Sequence, residues 1–128
     1  MSQLAIETPR GRTDYFAGEE MFGVCGWELD NPPENVELRL FWYTKGKGTR
    51  DVDVVQTVKF DNPRQTDQRE FRLTLPEAPY SFSGKLISLI WALELVAEPG
   101  GDTDRLEITI TPTGMEIELH SGEFKPAK

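Results

Sequence analysis

The sequence VELRLFWYT, residues 36–44, decides the fold class because apolar and polar side chains alternate along it. Its even-numbered residues, from Val36 to Trp42, are all apolar and fall on one side of an extended chain. A period of two is typical of a strand that is buried on one face. The stretch therefore predicts a β-strand that sends its even-numbered side chains into a hydrophobic core.

Similar alternation and regular turn signals extend the same interpretation to most of the chain. In segments 105–111 and 115–120, aliphatic residues alternate with glutamate and threonine, and proline, glycine and asparagine separate most apolar segments. We predict eight strands, with a longer link over residues 8–20. The predicted strands are Gln3–Glu7, Met21–Asp30, Val36–Thr44, Asp51–Phe60, Arg69–Leu75, Lys85–Glu98, Arg105–Thr111 and Met115–His120. Short strands at this spacing predict an all-β, immunoglobulin-like antiparallel sandwich of about seven to eight strands.

The segment Lys85–Glu98 also satisfies a second periodicity. Helical spacing is also satisfied by Leu86, Leu89, Ile90, Leu93 and Val96 or Ala97, and Gly100 could end such a helix. A strand with Trp91 facing inward explains the same residues. Because no other segment has a helical pattern, we favour the strand, which places Trp91 in the same buried layer as Trp42.

Length and charge narrow the class of protein. The 128 residues are enough for one domain. We assign residues 1–120 to a single β-sandwich and residues 121–128 to a polar C-terminal tail. The net charge of −8 argues against binding to nucleic acids or to anionic membranes.

Targeting signals and cysteine usage favour a reducing compartment. Residues 1–18 contain no apolar signal-peptide core, and the longest apolar stretch, Leu86–Ala97, is too short to span a bilayer. The single cysteine, Cys25, cannot form an internal disulfide and lies among apolar residues, as an inert core thiol would. We therefore expect a cytoplasmic protein without membrane insertion.

Two segments resemble landmarks of arrestin-like domains, the β-sandwich halves of arrestins and related trafficking scaffolds. YFAGEEMFGVCGWEL, residues 15–29, is similar to the opening pattern of that family: an aromatic residue, a Gly-acid turn and a strand of small and apolar residues. FRLTLPEAPYSFSGKLISLIWALELVAEPG, residues 71–100, resembles the second landmark: a strand ending in Leu-Pro, a Pro-Ser-aromatic link and a long apolar strand. The matching positions are Tyr15, Gly18, Glu19, Gly23, Val24, Leu29, Leu75, Pro76, Pro79, Ser81, Phe82, Gly84 and Trp91.

This resemblance implies an arrestin-like fold and a role in binding other molecules. Arrestins have two such halves, whereas this chain has room for one. Its residues match neither the charged activation core nor the receptor contacts of arrestins. The resemblance therefore implies a fold and a binding style but names no partner and no site residue.

The sequence contains no recognisable catalytic constellation. His120 is the only histidine and lies near the polar C terminus, and no phosphate loop or zinc-ligand spacing is present. We predict no enzyme activity and no cofactor. Antiparallel strands would bring the acidic loops 30–35, 61–68 and 98–104 to one end, where calcium could bind, although turn chemistry explains the same residues. The weak calcium candidates are Asp30, Asp61, Asp102 and Asp104.

A surface patch is the stronger candidate for a binding site. In an immunoglobulin-type sandwich, strands 36–44, 85–98 and 105–111 share one sheet. The patch would consist of outward-facing Phe41, Tyr43, Leu86 and Ile90. Exposed apolar patches often mark interfaces, although the first strand, the 8–20 link or the tail could cover this one. We expect a protein or peptide partner, with a homodimer as one form.

These observations favour a non-catalytic protein-interaction or scaffold module of arrestin-like fold. An exposed edge strand could also take up an extended peptide. The alternative is an extracytoplasmic β-sandwich that binds calcium or carbohydrate and whose leader was removed. Stacking on sugars would need an exposed aromatic row, whereas we predict that Trp27, Trp42 and Trp91 belong to the core.

Overall fold

The structure is a computed structural model that describes residues 2–46, 50–84 and 86–112 in full and residues 117–118 as backbone. A short 3-10 turn, Pro9–Gly11, lies between the first two strands. The strands, in chain order, are β1 Gln3–Glu7, β2 Asp14–Phe16, β3 Glu20–Glu28, β4 Asn35–Gly46, β5 Val52–Lys59, β6 Thr66–Thr74, β7 Phe82–Ser83, β8 Ile87–Glu98, β9 Asp102–Thr111 and β10 Ile117–Glu118.

These strands form two sheets that share one core. The smaller sheet has the order β1-β3-β6 and is antiparallel throughout. The larger sheet has the order β10-β7-β8-β4-β5, with β9 beside β8 and β2 beside β9. At its centre, β4 and β8 pair antiparallel over their whole lengths. The arrangement confirms the predicted all-β sandwich, whose strand pairs are antiparallel except where β2 joins β9 and β10 joins β7.

Alternate side chains from both sheets meet in this core. Met21 and Phe71 enter it from the smaller sheet, and Leu38, Trp91 and Leu93 enter it from the larger sheet. Burial of these apolar side chains is the main term that stabilises the fold. Truncating one fully buried leucine, such as Leu93, to alanine costs about 2–5 kcal/mol in a core of this kind.

The segment for which a helix was the alternative is strand β8, Ile87–Glu98. Its odd-numbered residues from Leu89 to Leu95 are buried in the core, and its neighbours β4 and β9 take up its backbone hydrogen bonds along most of its length. The helical alternative is therefore wrong. Pairing with two neighbours decides between the periods, which the sequence pattern alone leaves ambiguous.

The segment 8–20, which the sequence predicts to be a link without strands, contains one short strand. This strand, β2, pairs in parallel with Thr109–Thr111 of β9 and buries Tyr15. The Tyr15 hydroxyl donates a hydrogen bond to the Arg12 carbonyl at 3.0 Å. A strand of three residues shows no usable alternation, and its partner lies near the other end of the chain, so the sequence pattern could not reveal it.

Strand β9 begins earlier than the sequence predicts, at Asp102 instead of Arg105. The β8–β9 turn is tight because Gly101 adopts a φ of 74°, which favours glycine, and its N–H donates to the Ala97 carbonyl at 2.9 Å. Ile117–Glu118 pairs in parallel with β7, whereas the rest of the predicted strand Met115–His120 and the tail 121–128 lie outside the described residues. Among the described residues, no helix is long and apolar enough to cross a membrane.

A β-bulge between β4 and β5 shapes one end of the larger sheet. Leu40 pairs with Gln56, but Phe41 pairs with Val54, so Val55 is an extra residue on β5. A bulge of this kind reverses which face the following side chains occupy. Val52 and Val54 therefore lie on the outer face with Phe41, although Val58 packs against the core.

Candidate interaction surface

The outer face of the larger sheet carries an aromatic pair that is separate from the main core. Phe41 and Tyr43 project from β4 on the side opposite the core, and their ring centroids are 5.9 Å apart with nearly parallel planes. Ala92 lies beside Phe41 on β8 and is completely buried. The small side chain of Ala92 leaves room for the rings to lie close to the sheet.

Arg105 of β9 covers this aromatic pair. Its guanidinium carbon lies 5.0 Å from the centroid of the Phe41 ring and 5.6 Å from that of the Tyr43 ring, within the range of cation–π attraction. The same guanidinium donates to a carboxylate oxygen of Glu94 at 3.3 Å. Phe41 consequently retains only 6% of its exposure, although it faces away from the core.

Tyr43 is fixed at its other end by Glu107. The phenol donates a hydrogen bond to Oε1 of Glu107 at 3.0 Å, across the intervening strand β8. Partial burial and this hydrogen bond to a carboxylate raise the pKa of Tyr43 above its ordinary value. The hydroxyl is therefore a protonated donor at neutral pH and is held in one position.

The predicted patch is divided into two depressions. Phe41 and Tyr43 line one of them, with a volume of about 580 Å³. Leu86 and Ile90 line the other, of about 600 Å³, together with hydroxyl side chains such as Ser88. The depressions share Lys45 and Gly46 at the β4–β5 hairpin. Leu86 is 64% exposed and Ile90 is half-buried, so the predicted residues adjoin one another without forming a continuous apolar surface.

The depression beside the aromatic pair has an apolar floor and a mainly basic rim. Val52 and Val54 of β5 complete its apolar part and are 67% and 49% exposed. Four cationic side chains and one carboxylate also line it: Arg39, Lys45, Arg50, Arg105 and Glu94. The concentration of positive charge is unusual for a chain whose net charge is −8. Neither valine is predicted from the sequence to belong to this surface, because the bulge that turns them outward leaves no sequence signature.

The four weak calcium candidates do not form one cluster. Asp102 and Asp104 belong to strand β9, so the prediction that they lie in a loop is wrong. Asp30 and Asp102 line a depression of about 330 Å³, whereas Asp61 and Asp104 do not. Within the described ranges, no group of three or more histidine, cysteine, aspartate or glutamate residues could hold a metal ion.

Cys25 and the tryptophans lie where the sequence predicts. Cys25 is fully buried, and burial, with a smaller effect from Asp104, raises the pKa of its thiol to about 12. The indole N–H groups of Trp27 and Trp91 each donate to a backbone carbonyl, at 2.8 and 2.9 Å. Trp42 is partly buried against the core. The described tryptophans therefore stabilise the sandwich and form no exposed row.

Taken together, the two sheets and their strand order define an immunoglobulin-like, arrestin-like β-sandwich. The chain is similar in structure to Spo0M, the sporulation control protein of Bacillus subtilis, with a TM-score of 0.56 and 20% sequence identity. The match covers 86% of this chain and 48% of Spo0M, so the chain spans about half the length of that protein. At this identity the likeness shows the fold alone.

Two other solved structures share parts of the architecture at lower similarity. A superoxide reductase (neelaredoxin) of Ignicoccus hospitalis matches with a TM-score of 0.46 and 15% identity, over 84% of this chain and 79% of that one. A β-glucosidase of Listeria innocua matches with a TM-score of 0.45 and 10% identity, over 86% of this chain and 16% of that one. Neither likeness is close enough to bear on function. No protein-family model matches the sequence, and no curated protein matches it.

Proposed function

We propose that this chain is a non-catalytic protein-interaction or scaffold module of the cytoplasm, which binds a protein or peptide on the outer face of its larger sheet. The observation that carries the proposal is the aromatic pair Phe41 and Tyr43, which is held in place beside exposed Val52, Val54 and Leu86. A recognition surface of fixed shape, apolar at its centre and charged at its rim, is typical of protein interfaces.

The chemistry of this face supports binding more than catalysis. Arg105 is engaged with Glu94 and two aromatic rings, and the Tyr43 hydroxyl is engaged with Glu107. The raised pKa of Tyr43 keeps its hydroxyl protonated at neutral pH, so no phenolate is present there to act as a base. Cys25 is equally unsuited to attack a substrate, because its thiol is buried and protonated.

The structural likeness to Spo0M is consistent with such a role. The name of that protein describes the control of sporulation and specifies no reaction. An arrestin-like sandwich that presents a binding face would act by bringing partners together. This part of the proposal rests on the shared fold, and the binding face itself is argued from the residues of this chain.

Affinity capture from the native cell, with quantitative mass spectrometry, tests the proposal. Three baits should be compared: the unaltered chain, the double variant Val54→Glu/Leu86→Glu, and the control Phe22→Glu. Phe22 is 53% exposed on the smaller sheet, so the control places one carboxylate at a comparably exposed position on the other face, whereas the double variant adds two. Circular dichroism and melting curves should first establish that all three chains fold.

We expect a partner that the unaltered chain and Phe22→Glu retain at equal levels and that the double variant loses. Equal capture by all three folded baits would contradict the assignment of the larger sheet as the binding face. Retention of nothing beyond what an unrelated β-sandwich of similar charge retains would contradict the interaction function as a whole.

A further inference from the structure

We propose that the open edge of β5 binds an extended acidic peptide as an additional strand beside Val52–Val54, with a peptide apolar side chain against these exposed valines and peptide carboxylates near Lys45 and Arg50. This inference rests on the proposed interaction function and specifies the chemistry of the partner. It follows from the position of β5 in the sheet, from the bulge, and from the charges around the adjoining depression.

The first step concerns the backbone of β5. Among the described strands, β5 pairs only with β4 and forms the end of the larger sheet. The Thr44 N–H donates to the Asp51 carbonyl at 2.9 Å, which makes these two residues a hydrogen-bonded pair. Hydrogen-bonded and non-hydrogen-bonded pairs alternate along an antiparallel ladder. The N–H and C=O groups of Val52 and Val54 therefore point away from β4, toward the open edge.

The bulge limits where a strand can be added. Val55 interrupts the regular spacing of β5, and regular pairing with a new strand would stop there. The available edge is thus the segment beside Val52 and Val54. Both valines also line the 580 Å³ depression. Side chains of an added strand alternate between faces, so every second one would lie on the same side as this depression.

Charge selects among possible occupants. Arg39 is paired with Glu37 at 2.6 Å and Arg105 with Glu94 at 3.3 Å. Lys45 and Arg50, by contrast, form no ion pair with any described residue of the chain, although both line the depression. On the face of an added strand that lies over the depression, a peptide could place a carboxylate beside these two cations and an apolar side chain, two residues along, beside the exposed valines.

A second copy of the chain is a poorer occupant. Each copy carries a net charge of −8, which opposes self-association. Two β5 strands that pair antiparallel about Asp53 would also place two carboxylates directly opposite each other, which is destabilising. An acidic peptide avoids the second problem because it can place its charges beside the hairpin and its apolar side chains beside the valines.

Fluorescence polarisation with the full chain tests this inference. The probe is a labelled, N-acetylated octapeptide with threonine at the odd positions, leucine at positions 2 and 4 and glutamate at positions 6 and 8, so that leucine and glutamate side chains share one face of the strand. One control peptide has the same sequence with N-methyl groups on alternate amides, placed in both possible frames, which removes strand pairing but keeps the charge. A second control replaces every glutamate by lysine. We expect the probe to bind with a Kd below 1 mM, and each control peptide to bind at least about tenfold more weakly.

Three variants of the chain locate the binding site. Val54→Pro removes an N–H that faces the open edge, whereas the hydrogen bonds between β4 and β5 do not depend on it. Arg50→Glu reverses one of the two cations, Lys45 and Arg50, and Phe22→Glu is the control on the smaller sheet. We expect the first two variants to weaken probe binding at least about tenfold and the control to leave it unchanged. If Val54→Pro fails to fold, the N-methylated peptides still test strand pairing.

Three results would overturn the inference: no binding of the glutamate probe, equal binding of its N-methylated forms, or binding that Arg50→Glu leaves unchanged. Sedimentation showing a dimer that Val54→Pro dissociates would assign the edge to a second copy instead. In each case the proposed interaction function would survive if Val54→Glu/Leu86→Glu still abolished capture of a cellular partner, so the two failures can be distinguished.

Discussion

Replacing Arg105 by alanine should destabilise the fold by about 1–2 kcal/mol, more than is usual for a surface arginine. The guanidinium interacts with two aromatic rings, at 5.0 and 5.6 Å, and each cation–π contact of a partly exposed group contributes about 0.5–1 kcal/mol. Its ion pair with Glu94, at 3.3 Å and half-exposed, adds about 0.2–1 kcal/mol. These contributions overlap because one side chain makes them all, so the expected total lies below their sum.

Urea unfolding followed by tryptophan fluorescence measures this difference. The matched control is Arg72→Ala, which removes a more exposed arginine paired with Glu20 at 3.4 Å and should change the free energy of unfolding by less than about 0.5 kcal/mol. Glu94→Ala, and the double variant with Arg105→Ala, separate the ion pair from the aromatic contacts. We expect Glu94→Ala to reproduce less than half of the loss.

Two outcomes would refute the reasoning about Arg105. If Arg105→Ala and Arg72→Ala have the same effect, the cover over Phe41 and Tyr43 contributes nothing measurable. If Glu94→Ala alone reproduces the whole loss, the ion pair and not the aromatic contact fixes the guanidinium. Either result would also weaken the argument that this face has a fixed shape.

Three further predictions concern the core and the acidic loops. Burial raises the pKa of the folded Cys25 thiol to about 12, whereas the pKa of an unfolded thiol is ~8.5. Between these two values the folded state holds one proton more than the unfolded state. The free energy of unfolding should therefore fall as the pH rises through this window, by up to ~1.4 kcal/mol per pH unit. Urea unfolding of Cys25→Ala should lack this component, and an unchanged difference between the two proteins from pH 8 to pH 11 would contradict the assignment. Gly23→Ala should destabilise the fold by about 1–3 kcal/mol because the added Cβ would overlap the Glu7 carbonyl and the Phe71 ring. Gly26→Ala is the control and should not destabilise it, because the nearest atom to the added Cβ would be 4.0 Å away. Equal melting temperatures for the two variants would reject this prediction. Millimolar calcium should leave the melting temperature unchanged and give no heat in calorimetric titration, and a saturable heat would revive the calcium alternative.

Alternation along single strands predicts most of the fold but not the pairings between distant segments. The period of two in β4 and β9 correctly places Leu38 and Ile108 in the core, because one buried face is enough to impose that pattern. The parallel pairing of β2 with β9 leaves no such trace, since it joins three residues to a strand far along the chain. Strand propensity and the alternation of side chains depend on neighbouring residues, whereas the pairing of β2 with β9 joins residues that are far apart in the sequence.

The candidate site shows the same division. Phe41 and Tyr43 face outward as alternation predicts, but their burial depends on Arg105, two strands away in the sheet. That contact could be expected only once β8 was known to lie between β4 and β9. The aromatic residues are therefore predictable from the sequence, whereas the side chain that covers them is not.

The bulge at Val55 links the fold to the proposed binding edge. Val52 and Val54 have the same parity as Val58, so an uninterrupted strand would turn all three side chains toward the core. One extra residue instead leaves two valines on the surface, 67% and 49% exposed, where each forgoes roughly half to two thirds of the ~1.5–3 kcal/mol that full burial of such a side chain contributes. It also sets them in one depression with Phe41, Tyr43 and the cations Lys45 and Arg50. The bulge thus moves apolar surface outward and places it next to positive charges, although the chain as a whole is negative. This arrangement has a physical reason if an acidic partner covers that surface.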